Sequence, residues 1–206
     1  MPPAGWRSPE RLFDLGLGAS VLGWGLAALL RAPPDAPLSP VRLGVAGLHL
    51  TVALLFWTRG AAQAEGGPRR LAMALPSLLV SGVAFRAAPP PEAWPFFMGL
   101  FFFAAAALTA LSLLTLGRSF SVLPARRPLV VRGPYRLLRH PAYAGELLLL
   151  QTVGAAAGEP WVQVLCLLVA PLTILRIEAE EELLRVDPAW AAYADRVRWR
   201  LCWGLY

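Results

Sequence analysis

The chain has 206 residues, 57% of them hydrophobic and only 16% charged, with a mean hydropathy of +0.54 and a formal charge of +6. A soluble domain carries about a quarter charged residues, so this balance excludes an ordinary cytosolic enzyme and a disordered chain. All 19 basic residues are Arg, which removes any mechanism that needs a Schiff-base or general-base lysine.

The first apolar run, residues 12–30, has Asp14 as its sole charge and follows Arg7 and Arg11. It is long for the core of a signal peptide and shows no small-x-small cleavage pattern before Arg31, so it reads as a retained span. The stretch 31–37 is dense in proline and makes a loop. A second run covers 41–58 and a third 71–85, separated by Gly66-Gly67-Pro68-Arg69-Arg70; Pro76 predicts a kink of the kind membranes tolerate. After a breaker-rich turn at 87–91, residues 94–116 contain no charge and form the clearest span.

The character then changes. Residues 117–140 hold six arginines and read as a polar segment between membrane elements. Two apolar stretches follow, 143–157 and 161–175, divided by Gly158-Glu159-Pro160. Each is roughly 22 Å long as a helix, short for a full span. Gly-Glu-Pro is a poor helix interior, so the pair predicts a helical hairpin. The arginines agree. With the hairpin returning to its own side, segments 1–11, 59–70, 117–140 and 176–206 share one face and hold 16 arginines, against three on the other. By the positive-inside rule the rich face is cytoplasmic.

Cys166 and Cys202 have no metal-type neighbours, and His49 and His140 are too few for a His-rich site, so neither a zinc site nor a disulfide framework is expected. No nucleotide-binding loop appears, and the arginines lie where topology demands, which excludes nucleic acid as the expected partner. His49 reads as a polar residue facing the bundle. Trp190, Tyr193, Trp199, Trp203 and Tyr206, interleaved with Arg196, Arg198 and Arg200, read as an interfacial belt, with a lid over a lipid substrate as the sharper alternative.

Polar chemistry concentrates in two places that the hairpin returns to one face. In the first, Pro141 suits the opening position of a helix and leaves His140 near its N-cap. Free N–H groups there, with Arg136 and Arg139 adjacent, make a cradle for an anion or polar cofactor. In the second, the run Arg176-Ile177-Glu178-Ala179-Glu180-Glu181-Glu182 is either a solvated helix face with i,i+4 ion pairs or a set of carboxylates opposite the first segment. A cationic ligand between the two would meet Glu180 and Glu181 on one side and arginines on the other.

The two segments together carry Gly133-Pro134-Tyr135, Arg139-His140-Pro141, Tyr143 and Gly145, then Arg176, Glu180-Glu181, Leu184, Tyr193 and Val197. This pattern, over residues 117–197, resembles the isoprenylcysteine carboxyl methyltransferases and their relatives, the membrane phospholipid methyltransferases. The chain departs from it at Val186-Asp187-Pro188, where an aromatic-Gly pair is usual, and at Val197-Arg198, where Val-Pro is usual. The resemblance implies methyl transfer from S-adenosyl-L-methionine, with His140, Tyr143 and Glu181 at the cofactor and Arg139 and Arg176 near the reacting group. Glu180 joins the cofactor-binding set as the second carboxylate, and serves with His140 as a candidate base should the acceptor be an amine.

The expected fold is therefore all-α: a polytopic membrane bundle of about five to six membrane helices, the last two a short hairpin. Residues 1–116 supply N-terminal membrane helices and 117–206 a catalytic region. The expected activity is methylation of a lipophilic substrate within the membrane, a carboxylate of prenylcysteine type. A phospholipid amine acceptor and a non-catalytic protein that keeps the fold are the alternatives.

Overall fold

Proline and glycine mark the helix boundaries that hydropathy only sketches. The computed structural model describes residues 9–31 and 38–206; Arg7 and the loop expected at 32–37 lie outside the described residues. Helix α1 spans Pro9–Leu30, α2 Pro40–Thr58, α3 Gly67–Arg86 and α4 Phe96–Leu116. The hairpin is α5, Pro141–Ala157, and α6, Pro160–Leu184, followed by the short α7, Trp190–Arg196. Proline opens α2, α5 and α6, where its missing N–H costs nothing and its fixed φ is already helical. Ser39 caps α2 by accepting from the Arg42 amide at 3.3 Å, relieving one free donor of the first turn.

The hairpin is present. Gly158, at φ +68°, ends α5 in the left-handed region, which glycine reaches without Cβ strain. Two residues then suffice to reverse the chain. The second arm is longer than its apolar stretch suggests: α6 runs unbroken for 25 residues through the charged segment, because Glu, Ala and Leu are all good helix formers. Four helices, α1, α2, α4 (extended to Ser119) and α6, are long and apolar enough to cross a membrane. Their outward side chains, among them Trp24, Phe97, Phe101 and Leu167, are large and apolar, as contact with lipid requires. The chain is an integral membrane protein.

Packing follows a chain of neighbours: α1 on α2, α2 on α4, α4 on α5, α5 on α6, and α6 on α3. The closest approach is at Gly145 of α5, where an added Cβ would meet Thr109 Oγ1 and, at 3.2 Å, the Ala105 carbonyl oxygen of α4. The glycine of the first motif is thus a packing residue between two helices. His49 faces α1 beneath Gly25 and satisfies its Nδ1 on the Val45 carbonyl at 2.7 Å, so the reading of it as a bundle-facing polar residue holds.

Four tethers gather the arginine-rich segments at one end of the bundle. At the start of α1, Asp14 accepts from Arg59 Nε at 2.7 Å, and Trp57 Nε1 donates to the Leu15 carbonyl at 3.2 Å. The loops after α2 and α4 join in a two-residue antiparallel ladder, β1 (Ala64–Glu65) to β2 (Ala125–Arg126). Arg70 Nε reaches Glu182 on α6 at 3.1 Å. The amides of Arg139 and His140 donate to the carbonyls of Trp199 and Arg200, each at 2.9 Å. At the far end Arg42 pairs with Glu92 and donates to the Ala28 carbonyl at 2.7 Å.

Two outcomes are expected. Reporter fusions at 65, 125 and 206 lie on one face of the membrane and a fusion at 90 on the other; residue 206 opposite residue 125 would contradict the hairpin. Gly145→Ala overpacks the α4–α5 contact and lowers stability by roughly 1–3 kcal/mol, read as a fall in Tm of the detergent-purified protein.

Candidate active site

The site is built around a buried carboxylate. Glu181, on the last turns of α6, is 1% exposed, and an unpaired charge so placed would be strongly destabilising. Three cationic or titratable side chains meet it. Arg200 forks onto both oxygens, Nε to Oε1 at 3.1 Å and Nη2 to Oε2 at 2.7 Å. His140 Nε2 lies 3.1 Å from Oε1 and Arg139 Nη1 3.4 Å from it. The bond to Glu181 raises the Arg200 pKa above its ordinary value, so that guanidinium is charged at every accessible pH. Arg200 also donates to the Tyr206 hydroxyl at 2.8 Å.

His140 is the N-cap of α5, as Pro141 predicts. Its ring stacks on Tyr143, 5.6 Å between centroids and 10° apart in plane. The Tyr143 hydroxyl donates to Glu180 Oε2 at 2.7 Å, and Arg176 lies over the other side of the same assembly, 4.6 Å from the Tyr143 ring centroid. Arg176 is buried; it donates to the Val122 carbonyl at 2.9 Å and pairs with Glu146 on α5 at 3.6 Å. The charge run of α6 therefore works between helices. Among the described residues Arg176 forms no ion pair with Glu180, and Glu182 pairs with Arg69 and Arg70 of α3.

A cavity of about 320 Å³ opens beside these groups. It is lined by the polar Arg139, His140, Tyr143, Arg176 and Glu180 and by the apolar Leu48, Val52, Leu78, Phe85, Leu113 and Leu149, among others. Arg139 and Arg176 each carry a buried Nε with no hydrogen-bond partner among the described residues. Five of the six expected site residues thus line one cavity. Glu181 does not: it lies behind the wall, saturated by protein cations. Arg136 is exposed and takes no part in the cradle.

Trp190 and Tyr193 are buried cavity walls, so the belt reading fails for them. The short α7 folds inward because Trp190, Tyr193 and Val197 pack against Leu129 and Leu184. The Tyr193 hydroxyl donates to the Tyr135 carbonyl at 2.9 Å, and burial pushes its pKa up to about 12, so the phenol is a neutral donor. Burial, with Glu180 adding, also holds the Tyr135 hydroxyl well above its ordinary value. Glu146, which from its place one turn into the hairpin either bonds its neighbours or faces the site, lines the cavity; Arg200 and Ser81 carry no such signal in the sequence. Arg200 sits in a segment of alternating Arg and Trp that reads equally well as interfacial, and Ser81 belongs to a span with no motif.

Residues 94–186 match the phospholipid methyltransferase family. The matched stretch runs from the start of α4 to just beyond α6; it contains the first motif and Arg176, Glu180, Glu181 and Leu184 of the second, while Tyr193 and Val197 lie beyond it. The match is to the family that the motifs resemble. No curated protein matches the chain at a significant level.

The Glu181 cluster is expected to dominate local stability. Arg200→Ala removes a two-pronged charged hydrogen bond and costs roughly 1.5–3 kcal/mol, while Arg200→Lys recovers only part because an ammonium cannot span both oxygens. Thermal melting, with proteolysis of residues 197–206 as the local readout, checks both.

Proposed function

We propose that the protein transfers a methyl group from S-adenosyl-L-methionine to a lipophilic acceptor, at the arginine-rich end of the bundle, which faces the cytoplasm. The observation that carries this reading is one cavity lined both by charged groups of either sign and by apolar side chains of the membrane helices. The orientation rests on the arginine distribution.

S-adenosyl-L-methionine brings an electrophilic methyl group on a sulfonium, together with an ammonium and a carboxylate. The residues present fit it. Glu180 offers a carboxylate to a cation, held in place by Tyr143, and His140 and Tyr143 offer stacked ring faces. The partnerless Nε atoms of Arg139 and Arg176 offer donors to an anion. Glu181 acts through others: it fixes Arg139 and His140 at the cavity wall. In-line methyl transfer asks the protein for position and exclusion of water more than for covalent help. Leu113, Leu149 and Phe85 supply apolar lining that disfavours water.

We take the acceptor to be a carboxylate of prenylcysteine type. Such a group is ionised near neutral pH and needs no base, and Arg is the side chain best shaped to orient it. The second reading, a phospholipid amine, is favoured by the two carboxylates in the cavity, Glu146 and Glu180, and by the name of the matched family. An amine needs a base, and arginines repel its ammonium form, so its methylation rises steeply with pH until the amine is neutral.

Titration calorimetry of the purified protein with S-adenosyl-L-methionine tests the core of the proposal; no binding in the wild-type protein would sink it. His140→Ala and Glu181→Gln are expected to weaken binding at least about tenfold, close to 1.4 kcal/mol. Arg139→Lys and Arg176→Lys should depress turnover of a prenylcysteine acid far more than cofactor affinity. Activity confined to a phospholipid amine would replace the carboxylate reading with the second one.

A further inference from the structure

Among the described residues Glu146 is the one carboxylate of the cavity wall to which neither motif gives a role. It lies one turn beyond Tyr143 on α5, with its side chain 22% exposed, and lines the same cavity as Arg176. Its two partners hold it loosely. Arg176 Nη1 is 3.6 Å from Oε2, longer than the ~2.7–2.9 Å of a charge-assisted hydrogen bond. Ser81 Oγ, from α3, is 3.3 Å from Oε1, longer than the ~2.7–2.8 Å typical of a hydroxyl donor.

Arg176, by contrast, is fixed. The Val122 carbonyl holds Nη2 at 2.9 Å and the Tyr143 ring holds the guanidinium face, while Nε has no partner. A rigid buried cation beside a loosely held carboxylate has the composition of an anion site with a resident competitor. The pair is neutral overall, so the empty cavity carries no buried net charge at this point, which is what a low-dielectric setting favours.

Building on the methyl-acceptor reading of this cavity, we infer that Glu146 is a specificity-determining counter-ion. It neutralises Arg176 until a carboxylate acceptor takes its place, and Ser81 receives the displaced carboxylate. A carboxylate on an apolar tail replaces, one for one, the anion that Arg176 already requires. A cationic amine cannot do so; it gains only from Glu146 itself. The balance between Ser81 and Arg176 as partners for Glu146 sets how readily the exchange occurs.

The test uses the full chain in detergent, with a long-chain fatty acid and the matching long-chain primary amine as probes of equilibrium binding. Glu146→Gln removes the competitor and should tighten fatty-acid binding at least about fivefold while weakening binding of the amine. Ser81→Ala has the opposite sign: Glu146 is left to Arg176 alone, and fatty-acid binding weakens a few-fold. A purely structural role for Glu146 would weaken both probes together. Unchanged or weaker fatty-acid binding in Glu146→Gln overturns the inference, and so does a wild-type protein that binds no fatty acid. Should Glu146→Gln fail to fold, tighter or unchanged fatty-acid binding in Ser81→Ala overturns it instead. Titration of the same samples with S-adenosyl-L-methionine separates the two claims. Cofactor binding without the Glu146 effect removes this inference alone, and loss of cofactor binding by the wild type removes the methyltransferase reading.

Discussion

A carboxylate buried beside a membrane must find cations or cease to be charged, and the neighbours of Glu181 answer that demand. Arg139 and His140 come from the turn that opens α5, Arg200 from the segment after α7. The one charge therefore joins three pieces of chain that lie far apart in sequence. Because the backbone amides of Arg139 and His140 also bond to residues 199 and 200, their side chains are held from both ends. The rigidity of the polar cavity wall derives from a residue that does not line it.

The same logic organises the layer in front. Tyr143 is gripped by the His140 ring, Glu180 and Arg176, and Arg176 by Val122 and Glu146. Tyr143 and Arg176 are thus held by something other than a ligand, the condition for side chains that move little when one arrives. The N-terminal helices share in this. Leu48 and Val52 of α2 and Leu78 and Phe85 of α3 add to the apolar lining, and Ser81 of α3 reaches Glu146.

Features with a one-dimensional signature were readable from the residues. The uncharged run of α4, the Gly-Glu-Pro turn of the hairpin and the arginine count of each loop each follow from a local rule of hydropathy, breakers or charge. So did the meeting of Arg139, His140 and Tyr143 with Arg176 and Glu180, because a hairpin fixes which ends meet. What escaped depends on rotation of a helix about its axis or on the path of an irregular segment. Which way Arg176 points, toward Glu180 on its own helix or Glu146 on another, is invisible in spacing alone. Residues 197–200 read as an interfacial belt because alternating Trp and Arg satisfy that pattern and a folded-back strap equally. Ser81 could not be singled out at all, since one hydroxyl in an apolar span carries no period and no motif.

The tie between Glu181 and Arg200 has a bearing on biogenesis. Glu181 leaves the ribosome nineteen residues ahead of Arg200, so α6 enters the bilayer while its deepest carboxylate still lacks its strongest counter-ion. Arg139 and His140, already synthesised with α5, are the groups able to stabilise it during that interval. Co-translational insertion of the second arm thus leans on the first arm being in place, and the polar site matures only when the strap is delivered behind it.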